Sequence, residues 1–440
     1  MVEEPLKEGC YLPPEQLRIG VYVILDLPWF NHPFTLNNFR ISSIEQLREL
    51  RALKLKRYRY DPERTTPPPP GWKAAEGTAA ETEVPAEPVD GSSAEDEAAE
   101  LTPAMAQKKQ HAEMMRVQRE RLAQVEKAFS KASTVMRNLN RNLFSRPGET
   151  LSDMGALVQQ MIDVFLESNE ATLHLMGERV GGEDVYYHSL NVTILAMMLA
   201  KHLGFSAEDA RNLGVGAMLH DVGKVDIQDN VLNKSPEEYN NAELALYRMH
   251  VDYGVEIARK LGLSADVIRI IGQHHEFCDG SGYPRGTSEA VLSPGARLVS
   301  MVNFYDRLCN PVDISRAMTP HAALSFMFAK RSTKFEKAAL QLLIRNLGVY
   351  PPGSFVQLSN EAIAVVISVN LKKPLRPWVR VYDEHVPKEE ALMMDLDVAP
   401  EINISKGIPP GQLPPKVVAY LNPRKHVTYF FDAEQGMAHH

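Results

Sequence analysis

Apolar residues recur every seven positions along one stretch of the chain, and smaller or apolar residues fill the intermediate seam positions. The first set is Met115, Leu122, Phe129, Met136 and Leu143, and the second is Val125, Ala132 and Leu139. This heptad pattern predicts one long helix over residues 104–149. Two interpretations stay open. The helix either packs on its own domain or pairs with a second copy of itself through residues 104–144.

After this helix, the pattern of apolar and polar residues changes once, from helical to strand-like. Residues 150–348 are helical in pattern almost throughout, with an apolar stretch at 190–203 and turn signals at Gly204, Gly262 and Gly286. Beyond Gly348, short runs of β-branched residues at 364–369 and 378–382 are separated by Pro and Asn. The predicted fold class is therefore mainly α, an all-helical bundle over 150–348 followed by a small β-rich appendage over 349–440.

The N-terminal part reads as a small α+β module over residues 1–60. Residues 22–25 are a strand candidate, and a helix is predicted to begin at Ser43, with Gln46 at the capping-box position. Residues 61–103 contain four consecutive prolines and few large apolar side chains. Such a composition cannot offset the entropy lost on ordering, so this segment is predicted to be a disordered acidic linker.

Charge and composition exclude several classes of protein. The chain carries a net charge of −8, while residues 61–103 alone hold 2 basic and 11 acidic residues, so the remainder is close to neutral. A strongly basic face for a nucleic acid polymer is not expected. No stretch approaches the roughly 18 apolar residues that a membrane span needs. The acidic start and the 3 cysteines at unrelated spacings predict a cytoplasmic protein without a disulfide framework.

Histidines are concentrated in the helical segment, and three of them stand in two adjacent pairs, one His-Asp and one His-His. They are His188, His220 next to Asp221, His250, and the pair His274 and His275. For any one of them alone, a core or surface role is the better interpretation. Together, neutral imidazoles and a carboxylate suit iron, manganese, nickel or zinc, and a carboxylate can bridge two ions. The set therefore predicts a metal site.

Two strings in this segment carry a family resemblance. They are Met218–Lys224, read as MLHDVGK, and Gln273–Pro284, read as QHHEFCDGSGYP. Residues of about 180–350 resemble the HD-GYP family of metal-dependent phosphodiesterases, whose usual substrate is the bacterial second messenger cyclic di-GMP. The N-terminal module resembles a module of unknown function that precedes many such domains, and the β appendage resembles their C-terminal tail.

The resemblance implies a site, a cofactor and a reaction. The implied metal ligands are His188, His220, Asp221, His250, His274, His275, Asn303 and Asp184. The implied substrate-binding residues are Gly282, Tyr283, Pro284, Lys224 and Arg316. Two ions, or three, are expected, with iron first and manganese, nickel or zinc as alternatives. Asp221 would bridge two ions, and Lys224 would stabilise charge on the phosphate while an activated water attacks phosphorus. The product would be pGpG or GMP.

Three positions depart from the family pattern. Asn303 stands where the family has an Asp ligand, and Val312 and Ser315 stand where it has two basic phosphate-binding residues. Arg316 is one position away, and Arg307 lies between. Three functions therefore stay open: an active cyclic di-GMP phosphodiesterase, a hydrolase of another nucleotide, and a weak or inactive protein that acts by binding a ligand or a signalling partner.

Overall fold

A computed structural model describes residues 10–27, 32, 34, 37–66, 103–167, 171–176, 185–370, 373–384, 386, 388, 391–421 and 427–433. The chain divides into two compact units, residues 1–119 and 120–440. Most of the predicted linker, residues 67–102, lies outside the described residues. Within the described ranges, every helix is too short or too polar to cross a bilayer.

The first unit contains an antiparallel sheet and one helix, which confirms the predicted α+β module. The strands are β1 (Cys10–Leu12), β2 (Tyr22–Ile24), β3 (Asn38–Arg40) and β4 (Tyr58–Asp61), in the order β1-β4-β2-β3, and the helix is α1 (Ile44–Ala52). The Ser43 hydroxyl accepts a hydrogen bond from the backbone N–H of Gln46, as predicted for the cap. The backbone N–H of Thr66 donates to the carbonyl of Gly20, so the module continues beyond the predicted boundary at residue 60.

The second unit is built mainly of helices around one large apolar core, which confirms the predicted fold class. The helices are α2 (Pro103–Asn142, from residue 120 in this unit), α3 (Pro147–Ile162), α4 (Val185–Ala200), α5 (Ala207–Leu219), α6 (Asp229–Leu232), α7 (Asn241–Arg248), α8 (His250–Lys260), α9 (Ala265–Gln273), α10 (Pro294–Cys309), α11 (Pro320–Arg331), α12 (Lys337–Leu347) and α13 (Pro415–Leu421). Residues 192–200 of α4 are all buried, so this helix lies in the centre of the bundle.

The heptad positions from residue 125 to residue 143 are buried within the chain itself. Val125, Phe129, Met136 and Leu143 belong to the core of the second unit, and none is more than 4% exposed. A side chain that its own domain covers cannot also form the seam of a dimer. The structure therefore favours the first interpretation of the heptad pattern over residues 125–143, a helix that packs on its own domain.

One strand interrupts the segment that was predicted to be all-helical. Strand β5 (Ala171–Leu175) joins β6 (Phe355–Leu358), β7 (Ile363–Asn370), β8 (Trp378–Val381), β9 (Met393–Asp395), β10 (Ile404–Gly407) and β11 (Tyr429–Ala433) in an antiparallel sheet. β5 lies between β7 and β11. The predicted β appendage is present, but its sheet takes a strand from residues 150–348. That strand has five residues, too few for a pattern to distinguish it from the surrounding helices.

Candidate metal centre

Three of the predicted histidines share one local geometry, in which the ring follows a helical turn and bonds back to it. The Nδ1 atoms of His220, His250 and His274 lie 2.6–2.7 Å from the carbonyl oxygen three residues earlier in the chain. A carbonyl can only accept, so Nδ1 carries the ring proton in each case. The Nε2 lone pairs are thereby free to bind a metal ion, and the rings are held in place by the helix ends.

Asp221 lies between two groups of histidines and offers one carboxylate oxygen to each. Its Oδ1 is 3.5 Å from Nε2 of His250 and 3.6 Å from Nε2 of His274. Its Oδ2 is 3.5 Å from Nε2 of His188 and 3.4 Å from Nε2 of His220. His275 clusters with Asp221, His250 and His274. The two groups of candidate ligands therefore share Asp221, and its bridging of two ions stays a prediction.

The position of Asp221 follows from close packing of the chain that comes after it. A short 3-10 turn, Val222–Asp226, follows the carboxylate. A Cβ atom on Gly223 in this turn would lie 2.0 Å from the carbonyl oxygen of His250 and 2.4 Å from the backbone nitrogen of Gly254. Only glycine allows the two backbones to come this close. The contact brings the end of α5 against the start of α8, and so places Asp221 near His250.

The distances fit a metal centre. Nε2 of His250 lies 3.3 Å from Nε2 of His274, and Nε2 of His188 lies 3.2 Å from Nε2 of His220. Lone pairs that face each other at this distance repel unless a cation is shared between them. Two ligands that each lie about 2.1 Å from one ion are roughly 3–3.5 Å apart, which matches these separations. Oδ1 of Asp221 and Nε2 of His275 are also buried without a hydrogen-bond partner.

Burial keeps the imidazoles neutral, and a neighbouring charge keeps Asp221 ionised, and these are the protonation states that bind metal. Burial lowers the pKa of His250 to about 3 and that of His274 to about 4, and it also lowers the pKa values of His220 and His275. Burial alone would raise the pKa of Asp221, but the positive charge of Lys224 beside it lowers that pKa well below its usual range. Neutral imidazoles and an ionised carboxylate are the metal-binding forms.

A second buried carboxylate orients His188. Oδ2 of Asp306 lies 2.6 Å from Nδ1 of His188, and Oδ1 of Asp306 accepts hydrogen bonds from the side-chain amides of Asn191 and Asn310 at 2.8 and 2.9 Å. A carboxylate on Nδ1 directs Nε2 toward a metal and raises its basicity. Asp306 therefore acts on the site through His188.

The two asparagines that hold Asp306 are themselves fixed by backbone near the C-terminus. Each donates a second hydrogen bond to the carbonyl of Val427, at 2.9 Å from Asn191 and 2.8 Å from Asn310. The side-chain oxygen of Asn191 accepts from the N–H of Tyr429, and that of Asn310 accepts from the N–H of Val427. Neither amide can rotate by 180° without losing these bonds, so both must present N–H to Asp306.

Lys224 and Arg307 bring positive charge to the same oxygen of Asp221. Lys224 Nζ lies 2.5 Å from Oδ2 of Asp221, and Arg307 Nη2 lies 3.6 Å from it. Arg307 also donates from Nε to the side-chain oxygen of Asn303 at 3.0 Å and from Nη1 to the hydroxyl of Tyr247 at 2.7 Å. The amide oxygen of Asn303 is thus engaged by Arg307, and its role as a metal ligand stays a prediction.

The Gly-Tyr-Pro string forms a loop that packs against the histidine pair. The ring of Tyr283 stacks on that of His275, with centroids 4.5 Å apart and planes at 18°. Gly282 is required by this packing, because a Cβ there would lie 2.5 Å from the carbonyl oxygen of His275. Buried Glu276 accepts backbone hydrogen bonds from Arg285 and Thr287 and so fixes the loop. Pro284 is exposed on the same loop.

The remaining predicted residues lie apart from these contacts or outside the described part. Asp184 is not among the described residues. Arg316 is exposed and pairs with Glu237 at 2.6 Å and with Asp313 at 3.6 Å. Val312 is 60% exposed, and Ser315 is bonded to Asp313. The proposed substrate contact of Arg316 therefore stays a prediction.

Three family models match successive parts of the chain. They are a domain of unknown function (DUF3391) over residues 10–153, an HD domain over 160–338, and a KOW domain associated with HD domain over 355–414. All of the histidines proposed as ligands, and Asp221, lie within the second match. The chain is an HD-domain protein. The predicted resemblance, including the N-terminal module, is confirmed.

Several curated proteins are similar to this HD-domain protein. It is 26% identical over 376 residues to a cyclic di-GMP phosphodiesterase of Pseudomonas aeruginosa, with 84% of each chain covered. It is 32% identical over 174 residues to the cyclic di-GMP phosphodiesterase response regulator RpfG of Xanthomonas campestris, covering 38% of this chain and 44% of that one. It is 30% identical over 164 residues to a 3'3'-cGAMP-specific phosphodiesterase of Vibrio cholerae, covering 37% and 35%. The chain thus spans less than half the length of the last two.

The sequence did not indicate two contacts of this HD-domain protein, that of Tyr247 with Arg307 and that of Asp306 with His188. Arg307 and Tyr247 meet beside Asp221, and Asp306 holds His188. The sequence did single out Arg307, which lies four positions after Asn303 and therefore on the same face of a helix. The contact of Asp306 with His188 joins residues 118 positions apart, and no local pattern indicates it.

Proposed function

We propose that this HD-domain protein is a metal-dependent phosphodiesterase that hydrolyses cyclic di-GMP to pGpG or GMP. The observation that carries the proposal is the meeting of two ligand sets on one carboxylate. Oδ1 of Asp221 faces His250 and His274, and Oδ2 faces His188 and His220. The substrate class is supported by the relatives named for cyclic di-GMP and 3'3'-cGAMP.

In this proposal, six residues hold two transition-metal ions, with iron as the first candidate and manganese, nickel or zinc as alternatives. The ligands are His188, His220, Asp221, His250, His274 and His275. The proposed ligand Asn303 and the third ion beside Asp184 rest on the sequence. When bound, such ions supply the charge that activates a water for attack on phosphorus.

The chain's own residues prepare the site for this reaction. The helix-end carbonyls hold the imidazoles of His220, His250 and His274 as the Nδ1–H tautomer, which leaves Nε2 for the metal. Lys224 lies against Asp221 and would donate to a non-bridging oxygen of the scissile phosphate, where charge grows in the transition state. Tyr283 covers one face of His275 and limits the entry of water there.

The proposal is tested by turnover of cyclic di-GMP. The full-length protein, purified without oxygen and loaded with Fe²⁺ or Mn²⁺, is assayed with cyclic di-GMP and, in parallel, with 3'3'-cGAMP. Hydrolysis of cyclic di-GMP that Asp221→Ala abolishes is the expected result. Hydrolysis of 3'3'-cGAMP alone would assign a different cyclic dinucleotide. Tight binding of either compound without turnover by the metal-loaded protein would replace the enzyme with a binding protein.

A further inference from the structure

Arg307 places a charged group with unused hydrogen-bonding capacity beside the metal-ligand clusters. A guanidinium has five N–H donors. Two of them reach short acceptors, the oxygen of Asn303 at 3.0 Å and the hydroxyl of Tyr247 at 2.7 Å. The Nη2 group lies 3.6 Å from Asp221, too far for a good hydrogen bond. The Arg307 side chain is 31% exposed, so part of it is accessible to solvent.

The charges around Arg307 favour an anion. Lys224 already contacts the oxygen of Asp221 that Arg307 faces. One carboxylate therefore has two fixed cations on a single oxygen, while its negative charge is also available to metal ions. The excess positive charge on this side would attract a phosphate, whose non-bridging oxygens match the fork of a guanidinium.

Two anchors from different helices fix the plane of this guanidinium. Asn303 lies four positions earlier on α10 and accepts from Nε, and Tyr247 at the end of α7 accepts from Nη1. The ring of Tyr247 packs near that of His250, with centroids 5.0 Å apart. The fork is thus aligned with the histidine ligands before any ligand arrives, which reduces the entropy lost on binding.

We propose that Arg307 binds the phosphate of the substrate, and that Asn303 and Tyr247 are positioning residues for its guanidinium. This inference rests on the proposed phosphodiesterase function and names the group that recognises the phosphate. It also gives Asn303 a role other than metal binding.

The test measures binding of inorganic phosphate to the full-length, Mn²⁺-loaded protein by calorimetry, with metal content determined for each sample. Arg307→Gln removes the charge, Arg307→Lys keeps the charge without the fork, and Arg269→Gln is the matched control. Arg269 is 54% exposed and pairs with Asp266 on α9. We expect Arg307→Gln to keep its metal and to weaken phosphate binding by about 10- to 100-fold, the effect of charged hydrogen bonds. The phosphate affinity of Arg307→Lys should lie between those of the wild type and Arg307→Gln. The phosphate affinity of the control should stay within about twofold of the wild-type value.

Unchanged phosphate affinity in Arg307→Gln, or loss of metal from it, would overturn the inference. Asn303→Asp separates the two roles of that residue. If residue 303 positions Arg307, the new carboxylate forms an ion pair with the guanidinium. The affinity for phosphate then falls while the metal content stays unchanged. A rise in metal content with unchanged phosphate affinity would instead make Asn303 a ligand and refute its positioning role.

The outcomes also separate this inference from the proposed function. Arg307-dependent phosphate binding by a protein that hydrolyses no cyclic dinucleotide would remove the proposed function and leave the inference standing. Hydrolysis of cyclic di-GMP by Arg307→Gln with a wild-type KM and kcat would refute the role of Arg307 and leave the proposed function standing.

Discussion

Replacement of Asp306 by Asn is expected to weaken metal binding although Asp306 is not itself placed as a ligand. The carboxylate accepts from His188 on one oxygen and from the amides of Asn191 and Asn310 on the other. The amide introduced by Asp306→Asn would have to present an N–H₂ group on one of these sides. Because backbone near Val427 fixes both asparagine amides as donors, the new N–H₂ cannot face them without donor-to-donor repulsion.

The other orientation of the amide is equally unfavourable for the metal. If the N–H₂ group faces His188, the Nδ1 atom of this ring must become the acceptor and Nε2 must carry the proton. A protonated Nε2 cannot bind a metal. Loss of such an orienting partner typically reduces metal affinity by about 10- to 100-fold, and we expect a loss in this range.

The assay is competition for Mn²⁺ or Zn²⁺ between the metal-free protein and a chelator. Asp313→Asn is the matched control, because Asp313 is an exposed carboxylate that contacts Ser315 and Arg316. When His188→Gln is already present, Asp306→Asn should cause little further loss of metal affinity, since both changes act through the same proposed ligand, His188. Metal affinity within twofold of the wild type in Asp306→Asn would refute the reasoning, as would a full additional loss in the double variant.

Other changes test different parts of the site and the fold. Asp221→Ala should lose both ions and all phosphodiesterase activity, which elemental analysis and turnover measure; retention of one full set of metal would contradict a bridging role. Lys224→Ala should keep its metal and lose turnover, and metal loss would show that its role is wrong. Burial lowers the pKa of His174 to about 3, so the folded state resists protonation that the unfolded state accepts below about pH 6.5. The free energy of unfolding should therefore fall as the pH drops. Between pH 7 and pH 5, denaturant titrations should show a loss that is about 2 kcal/mol smaller for His174→Leu than for the wild type. An equal loss in both proteins would contradict this prediction.

The clustering of the candidate ligands could be predicted because several of them are of metal-binding residue types at short spacings. His220 and Asp221 are adjacent, as are His274 and His275, and each pair ends a helix or follows it directly. A helix end fixes the ring through a carbonyl three residues earlier, so local sequence already determines much of the geometry. The family resemblance then joined these local pieces into one site.

The hydrogen bonds that hold the candidate ligands in place could not be predicted, because they join distant parts of the chain. Asn191 and Val427 are 236 positions apart, and their hydrogen bond helps to fix Asp306. Strand β5 was missed for the same reason, since its partners lie in β7 and β11 and its five residues carry too little pattern. The long helix α2 illustrates the converse case. Its heptad pattern was plain, but only packing shows that its own domain covers Phe129 and Met136.

The most direct test of the account is the number of ions that one chain holds. Full-length protein, purified without oxygen and supplied with iron or manganese, is analysed for metal and for protein concentration in the same sample. The meeting of two histidine groups on Asp221 predicts at least two ions per chain. A fully loaded sample that holds fewer than one ion per chain would contradict the dinuclear centre on which the proposed function depends.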